Sequence, residues 1–203
     1  MAEASSPQIT RLRLALALGP LIAVGPLAID TYLPALPAMA DSYGVRVTDV
    51  ERSVSLYVMG TALGQLLGGP LSDHLGRKPV AWGGLLLFAL ASLLISLSTA
   101  LWQLDLLRVI QALGGGATGV VAAASVRDWF DGQEAARVLS SIGLVMLIAP
   151  LLAPAAGALL MTLHGWPMIF IALAGYALLM MWWVWQVMPT HTPVAVDRRL
   201  RDV

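Results

Sequence analysis

Apolar residues run through this chain in long blocks, and charged residues are largely confined to the gaps between them. A block of roughly 17–25 apolar residues is the length that crosses the hydrocarbon core of a bilayer as an α-helix. Six blocks qualify: Leu14 to Met39, Ser53 to Ser72, Val80 to Thr99, Leu101 to Val126, Val138 to Leu163 and Trp166 to Met188. The first is too long for a cleaved signal peptide and a matching series follows it, so it reads as a span. The pattern therefore predicts an all-α integral membrane protein: a solvated tail over residues 1–12, a six-helix bundle over 13–188, and a second tail over 189–203.

Composition agrees. Of the 203 residues, 58% are hydrophobic and only 12% charged, against about 45–50% and about 25% in an average globular chain. So few charges cannot cover a water-facing surface, and the lipid bilayer is the expected solvent. The absence of cysteine excludes disulfide scaffolds, thiolate metal sites and cysteine nucleophiles. A net charge of zero removes the electrostatic case for a nucleic-acid partner. His74, His164 and His191 fall in loops or a tail, with no H-E-x-x-H arrangement, nucleophile elbow or phosphate-binding loop. No catalytic residue, metal ligand or cofactor is therefore expected, and an enzyme is disfavoured.

The few basic residues sort between span ends. Arg11, Arg13, Arg77, Lys78, Arg127, Arg137, Arg198, Arg199 and Arg201 fall at alternate ends, and only Arg46 and Arg52 at the others. By the positive-inside rule both termini are cytoplasmic, as an even number of spans requires. All seven tryptophans lie near a proposed span end, where interfacial rings belong.

Three charges remain inside spans: Asp30, Asp105 and Arg108. Each costs about 2.5–3.5 kcal/mol near a helix centre on insertion scales, so each calls for a partner or a wet cavity. Counted from the outer span ends, Asp30 and Arg108 lie at one depth, about 10–14 Å down, and could pair if the first and fourth spans are neighbours. Asp105, three residues before Arg108, offers a local alternative. A carboxyl held between desolvation, which raises its pKa, and a cation, which lowers it, is the basis of a proton switch. Pro20, Pro26, Pro34 and Pro37 punctuate the first span and Pro150 and Pro154 the fifth, as in helices that line a pathway. Small residues recur every fourth position at Gly60, Gly64 and Gly68 and again at Gly115, Gly119 and Ala123, a spacing that predicts close helix packing.

Several stretches resemble a known family. The run Gly69-Pro70-Leu71-Ser72-Asp73-His74-Leu75-Gly76-Arg77-Lys78 matches the G-x-L-x-D-x-x-G-R-K signature of the major facilitator superfamily at every defined position. Arg108-Val109-Ile110-Gln111-Ala112-Leu113-Gly114 is similar to the R-x-x-Q-G/A-x-G motif of its drug:proton antiporters. Ala149 to Gly157 resembles their antiporter motif, with Ala153 where many members have glycine. Ile29 to Pro34 and Val126 to Phe130 narrow the likeness to the Bcr/CflA-like multidrug efflux transporters.

The resemblance implies half of a twelve-helix fold, a 3+3 inverted repeat whose partner half would lie beyond the start of a central loop. It implies that Asp30 and Arg108 couple protons to drug exit, with no cofactor besides the coupling proton, and that Tyr32 and Gln111 line the substrate cavity. Gly69, Asp73, Gly76, Arg77, Lys78 and Asp128 would form a cytoplasmic gate, with Asp128 pairing Arg77 and Asp73 meeting the opposite half. Pro150, Pro154 and Gly157 would bend the fifth helix between the halves. The implied setting is a bacterial inner membrane; the implied partners are small-molecule drugs or metabolites and a second six-helix half, supplied by more chain or by a homodimer. A sugar or metabolite transporter and a non-transporting remnant are the competing readings.

Overall fold

The computed structural model describes residues 7–188 apart from 131, with side chains from Leu18 onward except at 145. The tail over 189–203, with Arg198, Arg199 and Arg201, and residues 1–6 lie outside the described residues. The described residues form helices only: α1 (Pro7–Asp30), a single 3-10 turn (Leu33–Ala35), α2 (Leu36–Tyr43), α3 (Val47–Leu75), α4 (Arg77–Ser96), α5 (Leu101–Trp129), α6 (Gly132–His164) and α7 (Pro167–Val187). Six spans are long and apolar enough to cross a membrane, the first running Leu18–Tyr43 through the break after α1.

Local chemistry sets these boundaries. Pro34 and Pro37 bring no amide donor, so the helix after Asp30 can restart only as the 3-10 turn and then α2. Gly76 sits between α3 and α4 at φ 94°, a backbone that a side-chain-bearing residue resists. The amide groups of Thr99 and Ala100 donate to Gln103 Oε1 at 2.9 and 3.3 Å, capping the free donors that start α5.

The packing obeys an internal symmetry. The first span packs on α6 as α5 packs on α3; α5 packs on α4 as α1 packs on α7; α3 meets α4 as α6 meets α7; α4 packs on α7, and α1 on α5. Exchanging the first three spans with the last three maps each pair onto another or onto itself. Because α1 and α5 run in opposite directions, the triplets form the inverted repeat that the sequence resemblance implies.

Two further contacts fix the ends. Tyr43 Oη and Ser98 Oγ are 2.7 Å apart and Trp166 Nε1 donates to Ser42 Oγ at 3.0 Å, which gathers the α2, α4 and α7 ends at the pole of Arg46 and Arg52. Trp166, predicted to be interfacial, is buried there against Tyr43 and Phe170. The pole of Arg77 and Lys78 lies opposite.

Glycine does the packing work only in part as expected. On α3, a Cβ at Gly60 would come within 2.8 Å of the Val109 carbonyl and one at Gly68 within 2.7 Å of Ala117 Cα. A Cβ at Gly64 would overlap the Leu113 carbonyl. On α5 the predicted stripe is displaced. Gly119 has nothing within 4 Å, and Gly115, Gly119 and Ala123 face a cavity. The backbone approaches are made by Gly114 against Gly84 of α4 and by Gly116 against Thr61 of α3.

Candidate functional site

A half-open cavity of about 740 Å³ is walled by α1, α3, α5 and Met146 of α6. Its wall is apolar and glycine-rich, with Thr61 and Gln65 as polar points and Asp30 as its single charged side chain. Asp30 is the last residue of α1, so the break that proline imposes sets a carboxyl on the wall. Among the described residues no basic side chain pairs with it.

Arg108 is the largest fully buried side chain described. Its guanidinium carbon lies 4.1 Å from the Tyr57 ring centre, 4.5 Å from Tyr32 and 5.9 Å from Phe170. Cation–π contacts of about 2 kcal/mol or more each in a desolvated site offset part of the burial cost. Nη1 donates to Gln111 Oε1 at 2.7 Å and to the Ala28 carbonyl at 3.1 Å. That carbonyl is available because the Tyr32 amide turns back to Ile29 as α1 ends. Nε and Nη2 have no partner.

Sequence reasoning placed Asp30 and Arg108 at one depth and left open whether their spans are neighbours; the hydrogen bond from Arg108 to Ala28 shows that they are. They form no ion pair, because the aromatic rings enclose the guanidinium while Asp30 faces the cavity. Asp105 is not the partner of Arg108 either: it pairs with Arg52 of α3, leaving its other oxygen buried and unpaired. Tyr32 and Gln111 were expected to line the substrate cavity, but both are fully buried behind it. Tyr32 Oη lies 2.5 Å from Ser53 Oγ, and Gln111 Nε2 donates to Ser92 Oγ at 2.7 Å. These bonds make the two residues a scaffold for the arginine layer.

At the other pole the signature residues converge. Arg77, whose side chain is 15% exposed, pairs with Asp73 at 2.6 Å and Asp128 at 2.9 Å and donates to Ser72 Oγ at 2.5 Å. One guanidinium thus ties α3, α4 and α5. Lys78 Nζ donates to the Trp185 carbonyl at 2.9 Å and stands 4.6 Å over the same residue's ring, fastening the end of α7. Gly76 provides the turn that aims both cations, and Gly69 is unhindered, with nothing within 4 Å of a Cβ built there. Arg77→Gln is expected to cost about 1.5–3 kcal/mol, the range for hydrogen bonds to charged groups. Asp73→Asn is expected to cost less than about 1 kcal/mol, because Asp73 is 61% exposed. Thermal unfolding of the purified variants in detergent separates the two.

In α6 the helix runs unbroken past Pro150 and Pro154. Ala153 and Gly157 are buried, and a Cβ on Gly157 would overlap the Thr31 carbonyl. Gly157 therefore serves packing within this bundle, beneath the turn that follows Asp30, while Pro150 is exposed. Sequence reasoning missed Tyr57, Thr61 and Gln65. Their spacing of four puts them on one face of α3, a polar stripe beside the Gly60, Gly64 and Gly68 stripe that could have revealed them.

A family model described as Major Facilitator Superfamily matches residues 18–200. The chain is 38% identical over 159 residues to the multidrug resistance protein MdtL of Shewanella oneidensis, covering 78% of this chain and 40% of that protein. It is 33% identical over 177 residues to multidrug resistance protein D of Escherichia coli, covering 85% and 45%. A solved structure of the proton:xylose symporter XylE bound to 6-bromo-6-deoxy-D-glucose superposes with a TM-score of 0.78 at 13% identity, covering 88% of this chain and 45% of that one. The chain spans about 40 to 45% of the length of these curated relatives.

Proposed function

This chain belongs to the Major Facilitator Superfamily, and on that premise we propose that it forms one half, amino-terminal in order, of a proton-coupled exporter of drugs or other small amphipathic molecules. The observation that carries the reading is Asp30, the one charged side chain at a helix break on the wall of a largely apolar cavity. An intramembrane acid in that position is suited to exchange a proton against a bound amphiphile. The largely apolar wall favours such molecules over a sugar, which needs a lining of hydrogen-bonding groups.

Alternating access needs two bundles around one site. Two of the helices that contribute to the cavity wall are also the least covered: 12% of the most apolar window of α6 and 22% of that of α3 are buried, against 56% for α5. A second six-helix half, whether more chain or a second copy, would cover these faces. The proposed setting is the bacterial inner membrane with both termini cytoplasmic, which puts the Arg77 and Lys78 pole inside by the positive-inside rule. No cofactor other than the coupling proton is invoked, and no covalent chemistry.

The test is drug-dependent proton movement in proteoliposomes, alongside the oligomeric state of the reconstituted chain. The chain is expected either to transport as a dimer or not to transport alone, and where transport occurs Asp30→Asn is expected to abolish drug-driven proton release. Transport by a strictly monomeric chain, or full coupling with Asn at position 30, would sink the proposal.

A further inference from the structure

The cavity wall carries one carboxyl and no cation, yet a complete guanidinium lies just behind it. Tyr57, itself fully buried, touches both. Its ring lies 4.1 Å from the Arg108 guanidinium carbon, the residue belongs to the cavity wall, and its hydroxyl donates to the carbonyl of Gly25, another wall residue, at 3.3 Å. The ring is thereby pinned as a partition. Nε and Nη2 of Arg108 are buried with no acceptor, two adjacent donors of a planar fork whose geometry matches a carboxylate or another oxyanion. Unpaired buried donors of this kind are rare in folded proteins and ask for an explanation.

We propose that Tyr57 is a specificity-determining screen. It withholds the oxyanion-binding fork of Arg108 from the cavity, so that a bound amphiphile meets Asp30 and is selected against negative charge. The inference rests on the reading of this cavity as the substrate site. With the ring in place, an anion entering the cavity faces the Asp30 carboxylate and meets no cation, only the neutral side chains of Thr61 and Gln65, to replace its hydration, a costly arrangement at low dielectric. With the ring removed, the same fork becomes a ready partner for a carboxylate. One aromatic side chain therefore sets the sign of charge that the cavity accepts.

The experiment uses two probes of similar bulk and opposite charge, tetraphenylphosphonium and triphenylacetate. Binding is measured to the full chain in phosphatidylcholine nanodiscs, with empty discs subtracted. The wild-type chain is expected to bind the phosphonium at least about tenfold more tightly than the carboxylate, and Tyr57→Ala to tighten triphenylacetate binding by about tenfold or more. Tyr57→Phe keeps the ring and is expected to keep the wild-type preference. Adding Arg108→Met to Tyr57→Ala is expected to remove the gained anion binding. If the alanine variant does not fold, Tyr57→Leu, which lacks the flat ring but fills more space, is read by the same criteria.

Equal binding of both probes to the wild type overturns the inference while leaving the cavity as the binding site. So does an unchanged ratio in a folded Tyr57 variant, or anion binding that survives the loss of Arg108. Failure of the wild type to bind either probe overturns the reading of the cavity as the substrate site, and the screen with it.

Discussion

Replacing Gly64 with leucine is expected to prevent assembly of the bundle, and replacing it even with alanine to cost about 3 kcal/mol, toward the upper end for overpacking a tight contact. A Cβ at Gly64 meets the Leu113 carbonyl and lies 3.0 Å from Leu113 Cα. The obstacle is backbone, which cannot rotate away as the tip of a side chain can. Relief requires α3 and α5 to separate, and that loosens Gly60 against Val109, Gly68 against Ala117 and Gly116 against Thr61 in one movement. In lipid, where the hydrophobic effect does not hold helices together, such close packing supplies much of the association energy. Losses above about 4 kcal/mol follow for the larger side chain. Gly119→Ala is the matched control: nothing lies within 4 Å of its Cβ, and removal of a helical glycine is expected to stabilise by up to about 1 kcal/mol. Thermal unfolding of the three variants in detergent checks the order. A Gly64→Ala protein as stable as Gly119→Ala would show that the α3–α5 seam is not close-packed.

That contrast marks how far the amino-acid sequence was legible. The six spans could be read because lipid demands a minimum apolar length. The second span was read short at both ends: α3 extends from Ser53 back to Val47 and on to Leu75, since polar residues such as Asp49 and Glu51 continue the helix beyond its apolar block. The depth of Asp30 and Arg108 could be read by counting residues. The direction in which each side chain points could not, because it depends on partners far away in sequence. The rings around Arg108 come from the α1–α2 break, α3 and α7, and Asp105 finds Arg52, 53 residues away. The same ignorance of facing put the glycines of α5 on the wrong seam: Gly114, Gly115 and Gly116 are consecutive, and only neighbouring helices decide which of them touches backbone and which borders a cavity.

Arg108→Met is expected to fold at least as stably as the wild type, by 0 to about 4 kcal/mol, the range found when buried ion pairs are replaced by apolar side chains of similar volume. Arg108→Ala is expected to be less stable than either. Arg108 is 0% exposed and has no carboxylate partner among the described residues. Its stabilising contacts are three aromatic rings and two hydrogen bonds from Nη1. Methionine keeps much of the volume between Tyr32, Tyr57 and Phe170 and favours aromatic neighbours. It also relieves the desolvation of a full charge and of two unpaired donors, leaving Gln111 still bonded to Ser92. Alanine relieves the same charge but opens a void costing about 2–5 kcal/mol in a close-packed site. The two variants therefore separate the space that Arg108 fills from the charge it carries. A methionine variant that is stable and inactive would assign the charge to function: the protein would then be keeping a guanidinium whose burial works against folding because the proposed coupling at Asp30, one helix away, needs a positive charge behind the cavity wall. If the methionine variant unfolds where wild type does not, the cation–π cage outweighs desolvation, and Arg108 is a structural residue of the bundle.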